Sequence, residues 1–210
     1  MNQRDLIIGA LVLIVGALGY QLYHERKQTK LPSQAAFQLQ TAMRQLWADH
    51  AIWTRDYITA ALAAAPNVPE VTKRLLQNQQ DIGQALVPYY GKTAGDKVAL
   101  LLKDHILIAA DVVAAAKAND NAKLKSANER WHANAQDIAQ FLSGANPNWP
   151  KAMLEEMLYK HLELTTNEAT TRLKQQWQRD IQNFDLIFSQ LMAMADDLSL
   201  GIIKQFPAKF

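Results

Sequence analysis

Three histidines, His50, His105 and His161, stand 55 and 56 residues apart in a chain of 210 residues. A set of neutral imidazoles can ligate a divalent ion, pass a proton, or act only as hydrogen-bonding groups. Each lies in a segment with helical periodicity. Positions four before, three after and seven after His50 are Leu46, Trp53 and Tyr57; for His105 they are Leu101, Ile108 and Val112. For His161 they are Met157, Leu164 and Glu168. Residues at these spacings share one helical face, so each imidazole is expected inside an apolar stripe and partly buried. There its N–H requires a partner, and burial lowers its pKa. Glu168 takes the core-facing position that Tyr57 and Val112 hold in the other two helices. His50, His105, His161 and Glu168 therefore form a candidate ligand set for a divalent ion such as Zn or Fe, of the kind helix bundles build from facing helices. No Glu-x-x-His pair occurs, so the di-iron pattern does not apply. Two other readings use the same residues: a hydrogen-bond network that fixes each helical hairpin, and acid–base catalysis.

The partners such histidines would need are written twice. "RLLQNQQDIGQAL" (74–86) and "RWHANAQDIAQFL" (130–142) agree at seven of thirteen positions. Arg74, Asn78 and Asp81 fall on one helical stripe, and Arg130, Asn134 and Asp137 form its copy. Each stripe carries one Arg and one Asp, so it is neutral and can be partly buried. The preceding helices align as well, "LWADHAIWTRD" (46–56) on "LLKDHILIAAD" (101–111), which places Asp56 on Asp111. "MLYKHLELTTNE" (157–168) repeats the histidine helix a third time. Its second helix lacks the Arg-Asn-Asp series, and Asp196 is only a loose counterpart. The simplest account is three helical hairpins, each opened by a His-bearing helix.

The elements that must hold these residues follow from the breakers. "PNVP" (66–69), "PYYGKTAG" (88–95), "ANDN" (118–121) and "GANPNWP" (144–150) separate segments of helical period. Helices are expected at about 33–64, 69–87, 94–118, 120–143, 150–172 and 174–205, an all-α antiparallel bundle of about six. Trp47, Trp53, Trp131, Trp149 and Trp177 read as core or hairpin-end packing; "PYYG" and "NPNWP" at equivalent hairpin ends, with "FPAKF" ending the third, read as aromatic caps on the bundle, with a partner surface as the alternative.

Composition narrows the function classes. With 49% hydrophobic residues the chain has ample material for a core. Its 22 basic and 20 acidic residues nearly cancel, and no Lys/Arg run lies in the body, so no nucleic-acid partner is expected. The absence of Cys excludes disulfides, thiolate metal sites and thiol catalysis. No Gly-rich phosphate loop, G-x-S-x-G elbow, H-E-x-x-H or EF-hand loop occurs.

Residues 1–30 differ from the body, 31–210. "LIIGALVLIVGALGY" (6–20), continued to Tyr23, is long enough to cross a bilayer core, with Arg26, Lys27 and Lys30 beyond it. The expectation is a single-pass N-terminal anchor at 6–23 with an extracytoplasmic, periplasmic body. Charge bias slightly favours the opposite orientation. A signal peptide cleaved after Gly19 and a soluble helix are the alternatives. A protein partner is compatible with such a module and is not specified by any motif.

Taken together, "LWADHAIWTRDYI", "LLKDHILIAADVV", "NAQDIAQFL" and "MADDLSLGIIKQFPAKF" resemble a widespread bacterial family of all-helical proteins without an established function, over about 43–210. Some similar sequences carry automatic enzyme names, acetylglutamate kinase among them; nothing in these residues supports a nucleotide-binding fold. The resemblance implies the His and Asp positions as a shared theme and brings no activity with it.

Overall fold

The computed structural model describes residues 32–210. The expected anchor at 6–23 lies outside the described residues. Unbranched Ala, Leu and Gln lose little rotamer freedom in a helix, and among the described residues the chain forms helices and no strand. These are α1 (Gln34–Ala63), α2 (Val68–Lys117), α3 (Asn121–Ala145), α4 (Lys151–Leu173) and α5 (Trp177–Gln205), closed by a short 3-10 turn at Pro207–Lys209. Where six helices are expected there are five helical elements, because the expected 69–87 and 94–118 are joined as the two arms of α2. Helical turns continue through most of the segment expected to be a loop at 88–95, and α2 breaks only at Gly91 (φ 80°, ψ 166°). That conformation is open essentially to glycine alone. The chain folds back there, bringing Gly83 against Ala99 and Gly95 against Val87, pairs placed symmetrically about Gly91. A Cβ on Gly83 or Gly95 would collide with the facing half, so both glycines serve the close approach.

The opposite end of the bundle has one turn design used three times. Ala64, Asn119 and Gln175 all adopt left-handed backbone, with φ of 53°, 54° and 56°. In each, this residue's N–H bonds the carbonyl three back and the next N–H bonds the carbonyl five back: Ala64 to Ala61 and Ala65 to Ala60, Asn119 to Ala116 and Asp120 to Ala115, Gln175 to Arg172 and Gln176 to Thr171. This is the Schellman closure of a helix C-terminus. Each such residue lies 14 positions after a histidine. Asp120 additionally caps α3 by accepting from the Lys123 N–H.

Aromatic side chains close the other end. Tyr89 stacks on Phe210 and lies beside Phe206; Tyr90 packs against Trp149 and Phe206. The Tyr90 hydroxyl donates to Gln205 and accepts from Asn146, whose own amide oxygen accepts from the Asn148 N–H and turns the chain into α4. Trp47, Trp131 and Trp149 are buried, whereas Trp177 is 54% exposed, contrary to the packing role expected of it.

Between the ends runs the main apolar core, from Met43 and Trp47 on α1 through Ile82, Leu102 and Ile138 to Leu158, Leu191 and Leu198, beside a smaller cluster of Ile58, Val113 and Ala169. Among the described residues, one helix is long and apolar enough to cross a membrane, and it is α5 at the C-terminal end. Its apolarity comes from the stripe Ile187, Leu191, Met194, Leu198 and Ile202, which is buried in the bundle. Arg179, Asp185 and Asp197 lie on its other faces.

Two substitutions at the turns should move stability in opposite directions. Gly91→Ala is expected to cost about 1–3 kcal/mol. Gln175→Gly, which relieves a left-handed non-glycine residue, is expected to gain about 0.5–1 kcal/mol. Urea denaturation of both variants beside wild type checks the signs.

Candidate functional site

The helical period that places His50, His105 and His161 on apolar faces brings the three imidazoles together at mid-height. His161 lies 5.6 Å from His50 and 6.2 Å from His105, centroid to centroid. All three are buried, with exposures of 2%, 3% and 4%. Glu168 does not join them.

His105 shows the chemistry most completely. Trp131 Nε1, a donor only, donates to His105 Nε2 at 3.1 Å, so Nε2 must accept and the ring proton resides on Nδ1. That N–H donates to Asn134 Oδ1 at 2.8 Å. Asn134 Nδ2 in turn donates to the Leu101 carbonyl at 3.1 Å, which orients the amide. Both ring nitrogens are engaged, and no lone pair is left for a metal ion.

The other two histidines have the same clamp in weaker form. Asn78 Nδ2 donates to the Leu46 carbonyl at 2.9 Å, and Gln190 Nε2 to the Met157 carbonyl at 3.1 Å. Leu46, Leu101 and Met157 each precede their histidine by four residues, so the amide binds the carbonyl that also accepts the histidine's own backbone N–H. At His50, Gln79 Nε2 stands 3.4 Å from Nδ1, at the outer limit of a hydrogen bond, while bonding Leu75 O and Asn78 Oδ1 more closely. At His161, Gln190 lies alongside but short of hydrogen-bond geometry. Nδ1 of His161 and Oε1 of Gln190 are buried without partners.

Burial removes the water that would stabilise an imidazolium. It lowers the pKa of His105 to about 4 and that of His50 to about 3, the latter helped by repulsion from His105. His161 is pushed well below its ordinary value by burial and then by repulsion from His50 and His105. All three are neutral at pH 7.

The polar stripes are divided by the fold. Only Asn78 and Asn134 point inward. Arg74 bonds Asp49 at 3.1 Å and stacks over Trp53, and Arg130 bonds Asp111 at 2.9 Å; both carboxylates are on the preceding helix, not within the stripe. Asp81 accepts from Gln77, Asp137 is exposed, Asp56 is half-buried, and Asp196 pairs with Arg44. None of these reaches the histidines, because a stripe spanning two helical turns cannot turn every member towards one centre.

Glu168 belongs to a second cluster, nearer the Schellman end. It accepts from Arg55 at 2.5 Å, and Arg55 also holds Asp180 with both terminal nitrogens at 3.1 Å. Arg172 donates to Asp180 at 2.7 Å, and Phe184 lies under the Arg55 guanidinium at 4.7 Å. Two buried carboxylates thus meet two partly buried arginines. Burial raises the Glu168 pKa to about 7 against the opposing charge and hydrogen bond of Arg55. The sequence reading missed Arg55, Arg172 and Asp180. It also missed Gln79 and Gln190, and saw Trp131 only as packing. The signal available for Gln190 was its position 29 residues after His161, the separation of Asn134 from His105.

Among the described residues, no group of three or more His, Asp or Glu side chains is arranged to hold a metal ion. Compared with protein-family models, with curated proteins and with solved structures, the chain matches none. Fold and site together define an all-α bundle with a buried histidine–amide core.

The pH dependence of stability follows from these shifts. Below pH 6.5 the unfolded chain binds a proton at each of the three histidines that the folded chain refuses, so their contribution is complete above pH 6.5 and is lost as pH falls towards 4. Glu168 acts oppositely: between about 4.5 and 7 the folded chain holds a proton that the unfolded chain does not. Three protons less one leaves about two, so stability should fall by roughly 3 kcal/mol per pH unit near pH 5.5. Urea titrations between pH 5 and 8 measure this slope, and a flat profile would mean that the native imidazoles are solvated.

Replacing Arg55 with Ala should cost about 3 kcal/mol at pH 8 by leaving buried carboxylates unpaired. At pH 6, where Glu168 is already protonated, the loss should be smaller. Equal losses at the two pH values would contradict the placement of Glu168.

Proposed function

We propose that this chain is a membrane-anchored helical-bundle module, held by residues 6–23 with its body extracytoplasmic, whose histidine–amide core is structural. In this reading the body is three copies of one hairpin. The 14-residue interval from each histidine to its Schellman turn supports that, as does the amide bound to the carbonyl four residues before each histidine. Membership of the bacterial family that the sequence resembles is part of the same proposal.

The observation that carries the structural role is His105, whose two nitrogens are consumed by Trp131 and Asn134. A metal ion there would have to displace an indole N–H in a buried core. A second reading, binding of a small ligand or metal at the cluster, draws on the unpartnered Nδ1 of His161.

Melting temperature with and without Zn, Fe, Mn, Ni and Cu separates the two readings, using full-length protein without a His-tag. A site filled at 100 times its dissociation constant would stabilise the fold by about 2.7 kcal/mol. The expected result is no metal-dependent gain in wild type. A gain that His161→Ala removes would establish the second reading. Resistance of the full-length chain to carbonate extraction tests the anchor.

A further inference from the structure

Two helical turns before each histidine, on the same face, stand Met43, Val98 and Leu154. All three are buried. Val98 is the shortest of them, so the three histidine helices carry unequal side chains at this level. A cavity of about 40 Å³ lies there, with these three residues in its wall. Every helix contributes to that wall: Met43 from α1, Val98 from α2, Ile138 from α3, Met157 from α4 and Met194 from α5, with Trp149 from the connection before α4.

The wall is apolar throughout. Trp47 and Trp149 border the cavity, and their indole N–H groups are buried without partners, yet neither turns that group into the space. Trp149 Nε1 lies instead against Gly201 on α5, where an added Cβ would collide with it. A water molecule needs about 10–15 Å³ and two to four polar partners. The room is present and the partners are not. Apolar cavities of this kind stay dry and accept apolar molecules; one of about 150 Å³ accepts benzene or xenon. At about 40 Å³ the guest must be smaller than benzene.

Three of the lining residues are methionines, whose unbranched, polarisable thioethers adapt to the shape of what they touch. Of the described lining side chains all but Met157 are buried, so a guest enters only when a side chain moves. Met157 is half-buried and has three rotatable bonds, which makes it the residue placed to move. We propose that this cavity is a binding site for a small apolar molecule of dissolved-gas size, one with no hydrogen-bonding group. The site calls on neither the histidines nor the anchor, so it stands apart from the proposed function.

Xenon is the probe, because it is apolar, monatomic and polarisable. Full-length protein in detergent micelles, labelled at the methionine methyls, is titrated with xenon pressure and followed by NMR. The expected result is a saturable shift of the Met43, Met157 and Met194 methyl signals. Met153 and Met192 pack against the same core without lining the cavity, so they should show only the linear drift of dissolved xenon. Val98→Leu adds volume at the shortest of the three equivalent positions and should remove the saturable shift. If that variant does not fold, the wild-type series decides alone. No shift, or a linear shift of one size at all five methyls, would overturn the proposal, as would a saturable shift that persists unchanged in Val98→Leu.

Discussion

Three buried imidazoles, with the His161 ring 5.6 Å from His50 and 6.2 Å from His105, are admissible only while all three remain neutral, and much of the molecule is arranged around that condition. A neutral imidazole has one donor and one acceptor. An Asn or Gln amide has both as well, so it can accept from the ring with its oxygen while its nitrogen donates elsewhere. The fold directs that nitrogen to the helix carbonyl four residues before the histidine, where a second lone pair is free. The clamp therefore joins two helices through backbone as well as side chain. A carboxylate in place of the amide would bring a buried charge and would have no N–H for the carbonyl. This explains why the residues that face the histidines are Asn78, Asn134 and Gln190, and why the aspartates of the same stripes lie outside.

The clamp also sets the relative height of the helices. Asn78, Asn134 and Gln190 follow their histidines by 28, 29 and 29 residues, so each antiparallel pair is held in nearly the same vertical register. The Schellman turns complete that register at one end by reversing the chain a constant distance below the histidine. The outer ion pairs are not copied in the same way: Arg74 meets Asp49 just before His50, while Arg130 meets Asp111 six residues after His105. Exposed or half-exposed pairs of this kind contribute little, so nothing holds them to one position.

The Arg55 cluster solves a different problem. Glu168 occupies a core-facing helical position where its counterparts are apolar, and Asp180 is buried one turn into α5. Burial disfavours the charge of Glu168 there. Two arginines reach in from partly exposed positions and pair with both carboxylates. Such a network is weak evidence for net stability, because desolvation offsets much of the attraction. Its geometric effect is plain: it ties α1 to α4 and α5 near the end remote from the aromatic caps.

By itself, the sequence determined that the described chain is helical, where most of its helices end, and that the three histidines lie on apolar faces. These depend on residues within a turn or two of each other, through helical period, Gly and Pro punctuation and turn chemistry. Gly91 was visible only as part of a loop, because its fold-back depends on Gly83 and Gly95 fitting against the opposing half. Tertiary structure alone decided which groups meet. That Trp131 and Asn134 take both nitrogens of His105, that Glu168 turns to Arg55 and not to the histidines, and that Met43, Val98 and Met194 line one cavity are facts about distances between helices. A helical face covers roughly a third of the circumference, wide enough to place a side chain towards the core and too wide to select its neighbour. Only packing the helices at fixed height and rotation makes that choice.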